Sequence, residues 1–191
     1  MELYHGSNIA VEEPLAFAGR RNLDFGRGFY TTRLKSQAQK WAFLVASRKK
    51  RDVQSIVSIY DCNEAELMTA GYVYKNFPTY DMEWLKFVVD CRKGIDETNY
   101  DIVEGGVAND QVIDTVEDYE NGRITAEQAL DQLRYKKPNN QICFRNQEII
   151  DKYLHFTGTE VVTPKDVAIS KKSRIFANSN AIEIMRSFSH D

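Results

Sequence analysis

Read from the amino terminus, the chain opens with a short apolar-flanked run at residues 2–5, which predicts a first strand. Residues 8–27 carry Pro14, Gly19, Gly26 and several charges and predict a loop. Gly28-Phe29-Tyr30-Thr31-Thr32 predicts a brief second strand. Ala38, Trp41, Ala42 and Val45 then recur at helical spacing behind Ser36, which is read as the N-cap, and the helix ends in the basic run 48–51. Residues 53–60 alternate apolar and polar positions, with Ile56 as the exception, and predict a strand. Residues 64–70 suggest a short helix, 72–80 hold four aromatics around Pro78, and 81–93 read as a longer helix. Tyr100 to Gly106 predicts a strand entering a glycine turn. Asn109 or Asp110 is expected to cap a helix over 111–119, which Asn121-Gly122 ends. Thr125 with Gln128 forms a capping-box pattern for a helix reaching about Tyr135, with Pro138 just beyond. Residues 141–144 predict a strand, Asn146 caps a helix near 147–153, and Val161-Val162 begin another extended piece. Short strands mixed with short helices, without a regular βαβ alternation, predict an α+β fold rather than a doubly wound sheet.

The length of 191 residues fits one domain with a tail, read as a domain over residues 1–170 and a polar C-terminal tail over 171–191. Hydrophobic residues make up 42% of the chain, enough for a real core. A net charge of -3 argues against broad capture of a nucleic-acid backbone. A local basic groove stays open at Arg20, Arg21, Arg27 and Arg33, or at residues 48–51. Three cysteines, Cys62, Cys91 and Cys143, without CxxC spacing indicate neither a disulfide framework nor a metal site. The first residues lack a basic and an apolar leader region, and no run approaches the roughly 18 apolar residues of a membrane span. A reduced, cytoplasmic protein is the simplest expectation, with no membrane partner.

Two short segments carry candidate chemistry. Gly26-x-Gly28 is a weak signal by itself, because most such pairs only make turns, and it lacks the third glycine and the later acidic residue of a Rossmann fingerprint. His5-Gly6 is more telling: the glycine can offer an unhindered N–H and C=O to a planar amide. In combination, Leu3-Tyr4-His5-Gly6-Ser7 and Phe25-Gly26-Arg27-Gly28-Phe29-Tyr30 resemble the poly(ADP-ribose) polymerase-like branch of the ADP-ribosyltransferases. Ser36 and Trp41 stand where that family has a hydroxyl residue and an aromatic after the tyrosine. Asn140-Gln141-Ile142-Cys143-Phe144 is similar to its late strand, with Gln141 in the place of the usual glutamate. A closer resemblance is to a bacterial subgroup of unknown-function domains in this superfamily with His-Tyr-Gln in these places.

The resemblance implies an ADP-ribosyltransferase-like fold of two small packed sheets flanked by helices, with NAD+ as substrate and no metal. His5 would bond the adenosine-side ribose, and the Gly6 backbone would hold the nicotinamide carboxamide. Tyr30 and Trp41 would sandwich the nicotinamide ring, each contact adding about 0.5–2 kcal/mol. Ser7 and Ser36 would add polar contacts, and Arg20 or Arg21 would meet the pyrophosphate. From the residues alone, Trp41 fits a core position on an amphipathic helix equally well, and Tyr30 fits an ordinary strand tyrosine. The implied activity is mono-ADP-ribosyl transfer to a macromolecular acceptor, protein rather than nucleic acid, in a bacterial toxin or effector with a neutralising or regulatory partner. A glutamine at position 141 also leaves open an NAD+ glycohydrolase or a non-catalytic NAD+ or ADP-ribose binder. Glu104, Glu148 and Asp110 are the candidate substitutes for the missing carboxylate.

Overall fold

The computed structural model describes residues 1–49, 53–108, 112–134, 136 and 139–167. The tail over 171–191 and the caps expected at Asn109 and Asp110 lie outside these residues. The fold is α+β, built on two small sheets. One sheet holds β1 (Glu2–Ser7), β3 (Ile56–Cys62) and β7 (Leu154–Val161) in the order β1-β3-β7, all antiparallel. The other holds β2 (Phe29–Thr31), β4 (Tyr74–Phe77), β5 (Ile102–Gly106) and β6 (Asn140–Phe144) in the order β2-β6-β5-β4. Only β4 and β5 run parallel.

Three apolar clusters stack these layers. Leu3, Phe29, Tyr60, Ile102, Ile142 and Phe144 come from both sheets and fill the space between them. The opposite face of the four-stranded sheet presents Val103 and Cys143 to Trp84 and Val88 of α3 (Met82–Lys93). Val116 of α4 (Ile113–Glu120) and Leu133 of α5 (Ala126–Leu133) complete that cluster. On the outer face of the three-stranded sheet, Ala38 and Ala42 of α1 (Lys35–Ser47) lie against Val57. Two shorter helices, α2 (Glu64–Thr69) and α6 (Gln147–Tyr153), add Leu67, Ile149 and Ile150 to the inter-sheet core.

Local chemistry explains most element ends. Asp81 accepts the Trp84 N–H to start α3, and Gly94, at a φ of 71°, closes it in the left-handed region. The Thr125–Gln128 capping box forms in both directions. Asn146 caps α6 by accepting the Glu148 N–H. Three sequence expectations are corrected. Helix α1 begins at Lys35, so Ser36 is not its N-cap; the Thr32 side chain instead accepts the Leu34 N–H just ahead of the helix. The strand expected at 53–60 is Ile56–Cys62, and the extended piece expected to begin at Val161 does not form among the described residues: β7 lies before it and ends at Val161.

Candidate functional site

Among the described residues, strands β1 and β2 pair through their backbones at one place. Tyr4 and Thr32 exchange both backbone hydrogen bonds at 2.9 Å, and this single bridge joins the two sheets. Because Tyr4 spends its N–H and C=O on Thr32, alternation along an antiparallel strand turns the N–H and C=O of Gly6 toward β2 as well. A continued ladder would pair Gly6 with Tyr30. That pairing does not form among the described residues. The Tyr30 carbonyl lies instead 2.7 Å from Nδ1 of His5. The imidazole thus takes the acceptor that the Gly6 N–H would have claimed, and the strands part around it. The result is a seam whose Gly6 amide groups face a partner strand that has moved away.

His5 is half-buried, with its ring 4.7 Å from that of Phe29. Burial pushes its pKa below the ordinary value of 6.5, against the smaller opposing effect of the Tyr30 carbonyl. The ring is therefore neutral at pH 7. A carbonyl only accepts, so Nδ1 carries the proton and Nε2 is left as an acceptor.

Residues directly opposite on paired strands share a face. Tyr30 pairs with Cys143, so Tyr30 and Gln141 project on the same side of the four-stranded sheet. Through the Tyr4–Thr32 bridge this side continues into the face of β1 that carries Gly6 and is covered by α1. His5 lies on the other side, with Leu3 and Phe29. The seam thus collects Gly6, Tyr30 and Gln141 on one face and His5 on the other. Gln141 is half-buried opposite Gly105.

The Tyr30 hydroxyl is committed to its own loop. It donates to the Gly26 carbonyl at 2.7 Å and accepts the Phe25 N–H at 3.0 Å. Burial pushes its pKa well above 10, so it stays a phenol. The two glycines serve the same loop: Gly26 has a φ of 71°, and a Cβ on Gly28 would stand 2.4 Å from Cys143 Sγ. Tyr30→Phe is expected to cost about 1–3 kcal/mol by leaving two buried backbone groups unpaired. Thermal unfolding checks this, and an unchanged midpoint would refute the clamp.

Helix α1 fixes the remaining candidates. Lys35 forms an ion pair with Glu160 of β7, and Gln39 donates to the same carboxylate. Gln37 meets the Thr32 hydroxyl at 3.2 Å. One flank of α1 therefore looks toward β7 and the other toward β2 and the seam. Trp41, four residues after Gln37, lies about 40° from it around the helix. Trp41 is 46% exposed, so it is not the core residue that helical spacing alone allowed. Ser36 is exposed and about 140° of helical rotation from Trp41. Ser7 is half-buried at the end of β1, opposite Ile56. Arg20 is exposed and follows Gly19, whose backbone packs on the Gly28 carbonyl.

Two expected carboxylate substitutes are already engaged. Glu104 is buried and accepts from Arg33 and from the Tyr74 hydroxyl at 2.8 Å. Arg33 also pairs with Glu64, so it is not free to build the basic groove considered above. Glu148 accepts from the Tyr72 hydroxyl at the start of α6. Asp110 and residues 50–51 of the basic run lie outside the described residues. The three cysteines are free and buried. A cavity of about 410 Å³ lies elsewhere, between α3 and the loop over 95–100, lined by Phe77, Glu83, Phe87 and Tyr100. Sequence reasoning overlooked Thr32 and Gln37; the signal available was that Gln37 precedes Trp41 by one helical turn.

Fold and seam together define an α+β protein whose two sheets meet at one bridge and open beside it. The chain belongs to the family described as "Protein of unknown function (DUF3990)", whose pattern matches residues 1–156. No curated protein and no solved structure matches it. No helix among the described residues is long and apolar enough to cross a membrane.

Proposed function

We propose that this chain binds NAD+ across the β1–β2 seam and transfers one ADP-ribose to a macromolecular acceptor, with release of nicotinamide. The observation that carries the proposal is the displaced ladder: His5 holds the Tyr30 carbonyl and leaves the Gly6 N–H and C=O without their ladder partner, under a helix that carries an exposed tryptophan. A carboxamide presents one acceptor and two donors in a plane, which suits a backbone N–H and C=O side by side. In this reading Tyr30 and Trp41 take the two faces of the nicotinamide ring. His5 Nε2 accepts from a ribose hydroxyl on the other side of the seam. Arg20, beside the Gly26–Gly28 loop, meets the pyrophosphate, and Ser7 adds a polar contact at the strand end.

Breaking the nicotinamide–ribose bond builds positive charge on the sugar. Gln141 projects on the same face as Tyr30 and can accept a hydrogen bond from a ribose hydroxyl, but it brings no negative charge. That supports single transfer over chain elongation. It also supports a second reading, a non-catalytic NAD+ or ADP-ribose binder. A protein acceptor fits the acidic balance of the chain, and a bacterial toxin or effector with a neutralising partner fits the activity.

Titration calorimetry with NAD+, run beside detection of free nicotinamide, tests this. Saturable binding is expected, level from pH 9 to 7 and weakening once pH falls below 6.5 toward the lowered pKa of His5. The sign follows from the tautomer: protonation of Nε2 removes the acceptor, so affinity is present above the pKa and lost below it. Binding with nicotinamide release supports the transferase; binding without release supports the second reading. No binding at millimolar NAD+ would overturn both.

A further inference from the structure

The buried polar groups around the seam leave one atom over. Nε2 of Gln37 is buried and has no hydrogen-bond partner among the described residues. Its Oε1 faces the Thr32 hydroxyl at 3.2 Å, and that hydroxyl also reaches the Asn140 carbonyl at 3.2 Å and accepts the Leu34 N–H at 3.1 Å. Turning the amide over does not resolve this. Nε2 could then donate to Thr32 Oγ1, and Oε1 would be the group left unpaired. A buried amide with one unmet group costs stability, on the order of 1–3 kcal/mol, and such groups are rare without a reason.

The place of this group supplies a reason. Gln37 bonds the residue that bridges β2 to β1, so it stands at the closed end of the seam. Trp41 follows on the same flank of α1, and the adjacent face of the helix packs on Gly6 through Ala38 and Ala42. Gln141 follows Asn140, whose carbonyl meets the same Thr32 hydroxyl. Gln37 thus shares the Thr32 hydroxyl with the residue next to Gln141, on the helix that carries Trp41 and packs on Gly6. Ser36, the polar residue that the resemblance offered on α1, is exposed and lies on a different part of the helix surface.

We infer that Gln37 is a specificity-determining residue whose side-chain amide completes recognition of the nicotinamide carboxamide alongside the Gly6 backbone. This rests on the NAD+ reading of the seam. A carboxamide has two hydrogen-bonding positions beyond the reach of one backbone pair acting alone: a second lone pair on oxygen and a second N–H. The spare atom of Gln37 matches one of them in either orientation. A ligand that carries ADP-ribose but no nicotinamide would not use it.

The test compares NAD+ and ADP-ribose binding by titration calorimetry in the wild-type chain and in Gln37→Met, which keeps the length and removes the polar atoms. NAD+ affinity is expected to fall about tenfold, as loss of a buried hydrogen bond implies, while ADP-ribose affinity is unchanged. The thermal midpoint is expected to hold or rise, because the variant removes an unmet polar group. Gln37→Glu, which cannot donate and would repel a carboxylate, is expected to keep the fold while discriminating more strongly for NAD+ against its nicotinic acid analogue. If Gln37→Met binds NAD+ as the wild type does, the inference fails and the NAD+ reading stands. If it weakens NAD+ and ADP-ribose equally, or lowers the midpoint, Gln37 is structural and the inference again fails. If the wild-type chain binds neither ligand, both fail together.

Discussion

Gly6→Ala is expected to destabilise the fold by about 3 kcal/mol or more and to abolish NAD+ binding with it. A Cβ on Gly6 would stand 2.1 Å from the Ala38 carbonyl oxygen and 2.8 Å from the Ala42 backbone nitrogen. Both are helix backbone atoms, so no rotamer change relieves the collision. Either α1 lifts from the sheet or β1 shifts away from β3. The first loses the small-residue contact of Ala38 and Ala42 against Val57. The second strains a ladder that runs the full length of β1. Stability of natural domains is typically about 5–15 kcal/mol, so a loss of this size is readily measured. Urea unfolding of the variant checks it; a midpoint within experimental error of the wild type would show that α1 and β1 do not approach as closely as described. The same glycine thus meets two demands. It admits the helix on one face of the strand, and it turns an unclaimed N–H and C=O along the edge.

That double use explains what was legible in the sequence. His5, Gly6, Tyr30 and Gln141 stood out because they form a spaced pattern, and the structure gathers Gly6, Tyr30 and Gln141 on one face of the seam with His5 held to Tyr30 from the other. The α+β class was legible from short elements in irregular order. The capping box at Thr125 and the cap at Asn146 were legible because each is a local bond between near neighbours. Strand β4 was missed because Tyr74–Phe77 is short and paired in parallel with a strand that comes later in the chain. Strand β7 was missed although its residues alternate in exposure, because it follows α6 without a turn, Tyr153 ending the helix and Leu154 opening the strand. Ser36 was taken for the cap because it has the right chemistry beside the helical run; Thr32, four residues earlier, does the local bonding through a contact that also ties β2 to β6. Gln37 carried only its one-turn spacing from Trp41, since its meaning lies in an atom left without a partner by the tertiary arrangement.

Gln141→Glu is expected to raise nicotinamide release by about 10²-fold while changing NAD+ affinity little. The reasoning runs through charge rather than shape. Glutamine and glutamate reach equally far, and position 141 is half-buried opposite Gly105, which has no side chain to crowd it. The neighbouring carboxylate, Glu104, projects to the other face and is neutralised by Arg33, so repulsion with a new carboxylate is small. In the proposed complex the substrate before reaction would carry its positive charge on the pyridinium, between the rings of Tyr30 and Trp41. During bond cleavage that charge moves to the ribose, where residue 141 would face it. A carboxylate there stabilises the later state more than the earlier one, which is the condition for a rate effect without an affinity effect. Single-turnover measurement of nicotinamide against NAD+ concentration separates the two. A wild-type chain that binds without turnover, joined to a variant that turns over, would identify the native protein as a binder whose seam keeps the geometry of an enzyme. A variant that binds NAD+ normally and gains nothing would show that position 141 does not face the ribose, and the catalytic half of the proposal would fall while Gly6, Tyr30 and His5 kept their place in recognition.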